Sequence, residues 1–322
     1  VGYGVQKKRD IVGAVEQISS KDIADRIGSY QNVSRSLQGA IPGLTVTFSD
    51  GKPTRGASFQ VRGANSIGAG GSALILVDGV ETDITTVNSE DIESISVLKD
   101  ASSTAVYGSR GTFGVILITT KRPEKGQMKI TYNGSYNFYK RTVTPELVDN
   151  GYDWTTSYLE AYTNSYATDP TNINNVFRFS RAWYSELERR NSDPSYEKWR
   201  INPADNRYEY FGNTNWYKIF YKDYTTGHQH NLSITGGTDK ASYYVSGRFF
   251  HQDGIYNAGD ERYNQYNVLA KGTVQATKWL RVENTTSFMS RFSHQPTLTT
   301  GGQSFTVTPT RMMNHQGFPM TL

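Results

Sequence analysis

The chain has 322 residues, 34 basic and 30 acidic side chains for a formal net charge of +4, and no cysteine. Apolar residues make up 36% and aromatic ones 13%, which excludes a helical bundle, a coiled coil and a disordered chain. The lack of cysteine excludes disulfides and thiolate metal sites, and no run approaches the ~18 apolar residues of a membrane helix.

The chain opens at Val1 with no Met and no signal peptide, so its beginning is expected to be missing or processed. Lys7, Lys8 and Arg9 are its densest basic cluster. Three charges read as a solvated terminus rather than a nucleic-acid stripe. Residues 31–38 place Val33 and Leu37 four apart, a short amphipathic helix stopped by Pro42-Gly43. Leu44, Val46 and Phe48 alternate with Thr45 and Thr47 as a strand, and Phe59 and Val61 make another that stops at Gly63. Residues 68–71 read as a flexible turn. Leu74 to Val77 is a buried strand ending in the turn Asp78-Gly79. Ser94 to Leu98 is a strand, Asp100 caps a short helix running to Tyr107, and Val115 to Thr120 closes this mixed domain.

Beyond Lys125 the pattern changes to long alternation. Met128, Ile130, Tyr132, Tyr136 and Phe138 fall on one parity, and Lys129, Thr131, Asn133, Ser135 and Asn137 on the other. The split recurs, which predicts strands near 127–141, 225–237, 241–254, 261–275 and 280–294, with a generous sixth at 303–308. Tyr244 and Phe250 blur the polar face of the third. Tight turns at 237–240 and 276–278 contrast with a long connection over 142–224, in which Trp154 to Tyr166 and Arg181 to Arg190 read as helices. Short turns alternating with long loops are the signature of an outer-membrane barrel, with apolar side chains toward lipid and polar ones toward a wet lumen. A soluble β-sandwich also alternates, but rarely builds strands this long with aromatics on the outer face. Five or six strands would leave raw edges in lipid, and the smallest membrane barrels have about eight. The chain is therefore expected to be the N-terminal part of a longer one.

Candidate chemistry is sparse. Gly108, Gly111 and Gly114 precede a strand, not a helix N-terminus, so they predict close packing of the front domain on the barrel wall rather than a phosphate loop. His228 and His230 share a strand face, a spacing that suits zinc but lacks an evident third ligand. There is no Gly-x-Ser-x-Gly elbow, and Glu186 and Glu188 sit on an expected surface helix. No cofactor, metal site or enzymatic activity is expected. Trp154, Tyr158, Tyr162, Trp183, Tyr184, Trp199 and Trp216 offer rings in the long loop. Such rings pack a loop or stack on a ligand, and the four tryptophans are candidate contacts to a ligand or lid.

Several motifs occur in order. They are Val1-Gly2-Tyr3-Gly4-Val5-Gln6-Lys7-Lys8, Leu37-Gln38-Gly39 with Pro42-Gly43-Leu44, Val61-Arg62-Gly63, and Val77-Asp78-Gly79-Val80. Asp91-Ile92-Glu93-Ser94-Ile95 leads into Val97-Leu98-Lys99-Asp100-Ala101, and Tyr107-Gly108-Ser109-Arg110-Gly111 leads into Gly114 to Lys121. Asn213-Thr214-Asn215-Trp216 and Gly236-Gly237-Thr238-Asp239-Lys240 follow. Together they resemble the SusC/RagA family of TonB-dependent outer-membrane transporters. Lys52, Thr54, Ala73, Glu81 and Phe113 depart from the family's usual residues.

The resemblance implies a mixed α/β plug domain followed by antiparallel transmembrane β-barrel strands, in a full barrel of about 22 strands. It implies an N-terminal segment over 1–9, a plug over 10–122 and barrel strands over 123–322. Its plug-motif residues are Arg62, Asp78, Gly79, Lys99, Asp100, Tyr107, Arg110 and Gly111. The charged ones (Arg62, Asp78, Lys99, Asp100 and Arg110) are expected either to switch ion pairs between plug and barrel or to hold static ones. A SusD-like surface lipoprotein is implied as lid, an oligosaccharide or peptide as cargo, and outer-membrane lipid as surroundings. TonB, with ExbB and ExbD, would pull on a segment at or near Val1, Gly2, Tyr3, Gly4 and Val5 by strand addition. The alternative is a surface or secreted β-rich glycan-binding protein without transport.

Overall fold

The computed structural model describes residues 15–19, 33–48, 56–61, 72–142, 146–173, 178–257, 259–294, 297–300 and 303–306. Val1 to Val5, Arg62, the turn at 68–71, Lys52 and Thr54 lie outside the described residues, as does the side chain of Trp216. The chain divides into two compact units. The first lies within 1–137, 227–252 and 263–293, and the second within 138–226, 253–262 and 294–322.

The front of the first unit is built from β1 (Val15–Ser19), α1 (Val33–Leu37), β2 (Leu44–Thr47), β3 (Ser58–Val61), β4 (Leu74–Val77), β5 (Val80–Glu81), β6 (Ile92–Leu98), α2 (Ala101–Thr104) and β7 (Val115–Thr120). One sheet has the order β1-β6-β7-β4-β5, and β2 pairs with β3 apart from it. Only β4 and β7 run parallel. Their apolar runs have the composition of strands buried on both faces. Successive side chains point to opposite faces, so these strands feed two cores. Ile95, Val97, Ile116 and Ile118 join α1, β2 and β3 in a core with Val33, Leu37, Val46 and Phe59. Leu74, Leu76, Leu98 and Val115 make the second core, against which Tyr107 packs. Each fully buried side chain of this kind contributes about 1.5–3 kcal/mol.

Asp78 and Gly79, at φ 49° and 88°, turn the chain between β4 and β5. This left-handed pair is what a two-residue hairpin turn requires. The glycines after Tyr107 correct an expectation. A Cβ on Gly114, whose φ is +93°, would lie 2.6 Å from Val61, and one on Gly111 would lie 2.8 Å from the Thr104 carbonyl oxygen. The close approach is therefore made inside the front domain, not against the large sheet.

The large sheet comprises β8 (Gly126–Lys140), β11 (Tyr224–Gly237), β12 (Ala241–Asp253), β13 (Arg262–Gln275) and β14 (Arg281–His294), in the order β14-β13-β12-β11-β8. Its strands are 13–15 residues long, more than twice the usual five or six. The turn at 238–240 is closed by Thr238 N–H to the Ala241 carbonyl at 2.6 Å. Burial is inverted relative to a soluble sheet. Met128 and Phe138 are 63% and 70% exposed, whereas Asn231 and Lys271 are 2% and 9% exposed. A soluble sandwich puts its apolar face inside, so this sheet is not one. Tyr244 and Phe250, which blur the alternation, are buried on the polar face.

Between β8 and β11 the chain forms α3 (Gly151–Tyr166), α4 (Arg181–Ser192), β9 (Trp199–Ile201), β10 (Tyr208–Tyr210) and α5 (Trp216–Phe220). Asn150 caps α3 by accepting from the N–H groups of Tyr152 and Asp153, and Ser180 caps α4 by accepting from Trp183 N–H. Trp183 and Leu187, four apart on α4, pack with Ile173 and Phe211. The hairpin β9–β10 is held beside them by Arg200, which pairs with Glu209 at 2.7 Å and Glu186 at 3.5 Å. A last hairpin joins β15 (Thr297–Thr300) and β16 (Gln303–Thr306). Among the described residues no helix is long and apolar enough to cross a membrane.

Candidate functional site

The polar face of the large sheet meets the front domain along residues 78–91. Two 3₁₀ turns, Ile84–Thr86 and Ser89–Asp91, are capped by Asp83 and Asn88, whose side chains accept from Thr85 N–H and Glu90 N–H. Such local capping is what short Asp and Asn side chains do well. It fixes the turns so that their outer groups reach every strand in succession. Asn133 of β8 donates to Glu90 at 3.0 Å. Asn88 donates to Asn231 of β11 at 2.8 Å, and Tyr244 of β12 donates to Asp91 at 2.8 Å. Gln265 and Asn267 of β13 donate to the Thr85 and Thr86 carbonyls at 3.3 and 2.6 Å. Arg291 of β14 donates to the Thr85 hydroxyl at 2.9 Å.

A charged contact stands at Asp78. Its carboxylate accepts from the Thr120 N–H at 3.0 Å and the Thr120 hydroxyl at 2.6 Å. Lys271 of β13 pairs with the same carboxylate at 2.9 Å and donates to the Thr120 carbonyl at 3.2 Å. One side chain thus ties the β4–β5 turn, the end of β7 and the sheet together. Breaking a buried pair of this kind costs more than forming it gains. The seam as a whole is made of hydrogen bonds, each worth about 0.5–1.5 kcal/mol net because water competes for the same groups.

Two other charged motif residues, Lys99 and Arg110, are held within the front domain. Lys99 donates to the Pro42 carbonyl and lies 3.8 Å from Glu16. Arg110 pairs with Glu81 at 2.8 Å, both exposed, so the residue that departs from the family at 81 finds its partner within the front domain. The backbone carbonyl of Asp100 accepts from the N–H groups of Ser103 and Thr104. Lys99 and Arg110 thus find partners within the front domain, whereas Asp78 pairs with the sheet through Lys271. Sequence reasoning missed Lys271, Arg291, Asn231, Gln265 and Asn267. Their signal was a polar parity opposite the apolar one.

In the loop, Trp183 is 3% exposed and stacks on Phe211 with ring centroids 5.9 Å apart. Its burial excludes the expected ligand or lid contact. Trp154 is half-buried and stacked on Tyr158, and the ladder continues through Tyr162 to Tyr166. Trp199 is 44% exposed beside Tyr208. Burial pushes the Glu186 carboxyl up, but the Arg190 hydrogen bond and the charges of Arg189 and Arg200 outweigh it, leaving its pKa below the usual value. An open groove of about 510 Å³ is lined by Lys218, Tyr221, Lys222, Thr226, Asp253 and Asn257. His230 meets the Tyr132 hydroxyl at 2.6 Å on the exposed face of the sheet. Among the described residues no three His, Cys, Asp or Glu side chains are placed to hold a metal.

The family model of the TonB-dependent receptor plug domain matches residues 7–115. The chain is 32% identical over 288 residues to the TonB-dependent receptor P3 of Formosa agariphila, covering 88% of this chain and 23% of that protein. It is 41% identical over 151 residues to the TonB-dependent receptor SusC of Bacteroides thetaiotaomicron, covering 44% of this chain and 15% of that protein. The structure of the RagAB peptide importer in its open-open state superposes with a TM-score of 0.68 at 27% identity, over 91% of this chain and 32% of that one. The chain spans less than a quarter of the length of the two curated relatives. With its plug and its long antiparallel strands, the chain belongs to the TonB-dependent receptors. Within them it is of the SusC/RagA type, and its described strands form part of a barrel that they do not close.

Proposed function

We propose that this receptor carries a nutrient inward across the outer membrane, driven through TonB. The observation that carries the reading is the inverted sheet, apolar outward and polar toward the front domain. Lipid would cover the apolar face, and the plug would fill a wet lumen. The domain limits we assign are an N-terminal segment over 1–9, a plug over 10–122 and barrel strands over 123–322. The plug match over 7–115 supports the second of these.

At rest the plug closes the path through the contacts of residues 78–91. TonB, energised by ExbB and ExbD, pairs with the segment around Val1 to Val5 and pulls. The seam gives way because its hydrogen bonds pass to water at little net cost, whereas the apolar cores of the plug do not. Asp78 is the motif residue whose loss of a partner opens the seam, and Gly79 lets the turn present it. Tyr107 and Gly111 keep the plug compact, and Lys99, Asp100 and Arg110 hold it together. The cargo is an oligosaccharide or a peptide, captured under a SusD-like lipoprotein. The exposed Trp199 and the half-buried Trp154 are the loop rings offered to cargo or lid, and Trp216 follows them in the loop. No step changes the cargo chemically. Kinship of type with SusC and RagAB supports this reading.

The test is uptake by cells carrying the full-length receptor, intact or lacking residues 1–9. Loss of uptake with the truncated protein still in the outer membrane is the expected result. Unchanged uptake would contradict TonB-driven import.

A further inference from the structure

Resting on the import reading, we infer that the cargo is an anionic oligomer, bearing carboxylate or sulfate groups, and that the inner wall of the barrel selects it by charge. The observation is a bias in the polar face of β8 and β11–β14. Arg248, Lys271 and Arg291 lie on that face, the first two buried and the third bonded to Thr85. Strand alternation puts Lys129, Arg281 and Glu283 on the same parity. The described face therefore carries five permanent cations and one carboxylate, and Glu283 is already paired with Arg281. Nothing in barrel construction requires this. Ser, Thr, Asn and Gln wet a lumen as well and supply the rest of the face.

The plug answers the bias in kind. Asp78, Glu90 and Asp91, all within the segment that crosses the wall, turn their carboxylates to it, and Asp78 takes Lys271. At rest the plug supplies the anions. Once it moves, Lys271 loses its counter-ion, and Arg291 loses the Thr85 hydroxyl and carbonyl. A passing carboxylate or sulfate restores charge-assisted bonds to these groups, and Arg can take either group with two parallel donors. A neutral oligomer offers only weaker partners, and a cationic one is repelled. A cleft lined by one sign of charge concentrates oppositely charged solutes.

The experiment is uptake by cells expressing the full-length receptor, with two matched pairs of labelled probes. One pair is a uronate-containing oligosaccharide and its neutral counterpart of equal length. The other is an acidic peptide and its neutral amide counterpart. Within at least one pair the acidic member should enter about tenfold faster, and which pair responds identifies the backbone of the cargo. In the double variant Arg248→Gln, Arg291→Gln that ratio should fall toward one. Equal TonB-dependent uptake of acidic and neutral members overturns the charge inference while leaving import intact. A preference undiminished in the double variant overturns its assignment to this wall. If no probe enters in a TonB-dependent way while the receptor sits in the outer membrane, the import reading falls and this inference with it.

Discussion

The plug is held in two different ways. Inside, Phe59, Leu37, Ile95 and Ile116 are packed out of reach of water. Outside, at the sheet, its contacts are amides, carboxylates and hydroxyls, joined by the Lys271 ammonium and the Arg291 guanidinium. Apolar burial has no substitute partner in water, whereas a hydrogen bond does. One contact is suited to permanence and the other to exchange. The difference is what the proposed import requires, a domain that stays folded while it leaves its seat.

Four substitutions or conditions would sharpen or break that contrast. The largest effect belongs inside the plug. Phe59→Ala should cost about 3–5 kcal/mol through the cavity it leaves. Limited proteolysis of the full-length receptor should then cut the plug early, and resistance equal to the parent would mean that the core is not where its stability lies. Next comes the charged point of the seam. Lys271→Ala leaves Asp78 only its Thr120 bonds and should loosen the end of β7 by roughly 2 kcal/mol, since Asp78 keeps some access to water. Hydrogen exchange at Thr120 should quicken about 30-fold, with β6 unaffected. Equal quickening in β6 would make core and seam one cooperative unit.

The loop offers an intermediate case, a small apolar core clamped by charge. Glu186 has its pKa lowered in the folded state. Its contribution is therefore present above the unfolded value of about 4.3 and is lost as pH falls through the lower folded value. Tryptophan fluorescence of the loop should change below about pH 4, and Glu186→Gln should flatten that part of the profile. A midpoint unmoved in the variant would assign the transition elsewhere. The smallest effect is expected at the exposed pair Lys125–Asp239, where Lys125→Ala should change thermal stability by at most about 0.5 kcal/mol. A larger loss would mean that the surface turn, not the seam, fixes the plug.

Much of this was legible in the sequence. The alternation over 128–138 marks the sheet and its outward face without help from any neighbour. Trp183 was legible too, since Leu187 lies one helical turn on and both face the same side. Reading Trp183 as a ligand contact overlooked that spacing. Tyr244 and Phe250 blur the alternation because the polar face is not only wet but also receives the plug, and both are buried there. The seam itself was hidden for a different reason. Asn88 and Asn231 are 143 positions apart, and nothing in the spacing of a single chain sets the register of one domain on another.

Import as proposed requires that the plug part from the sheet for cargo to pass. These 322 residues have no cysteine, and a pair at Asn88→Cys and Asn231→Cys in the full-length receptor can be bridged by a short, reducible bis-thiol linker, with the receptor lacking the pair treated alongside. The measurement is TonB-dependent uptake before bridging, after it, and after reduction. Bridging should stop uptake, and reduction should restore it. Uptake undiminished in the bridged receptor would mean that cargo passes with the plug still seated, against the import reading proposed for the seam.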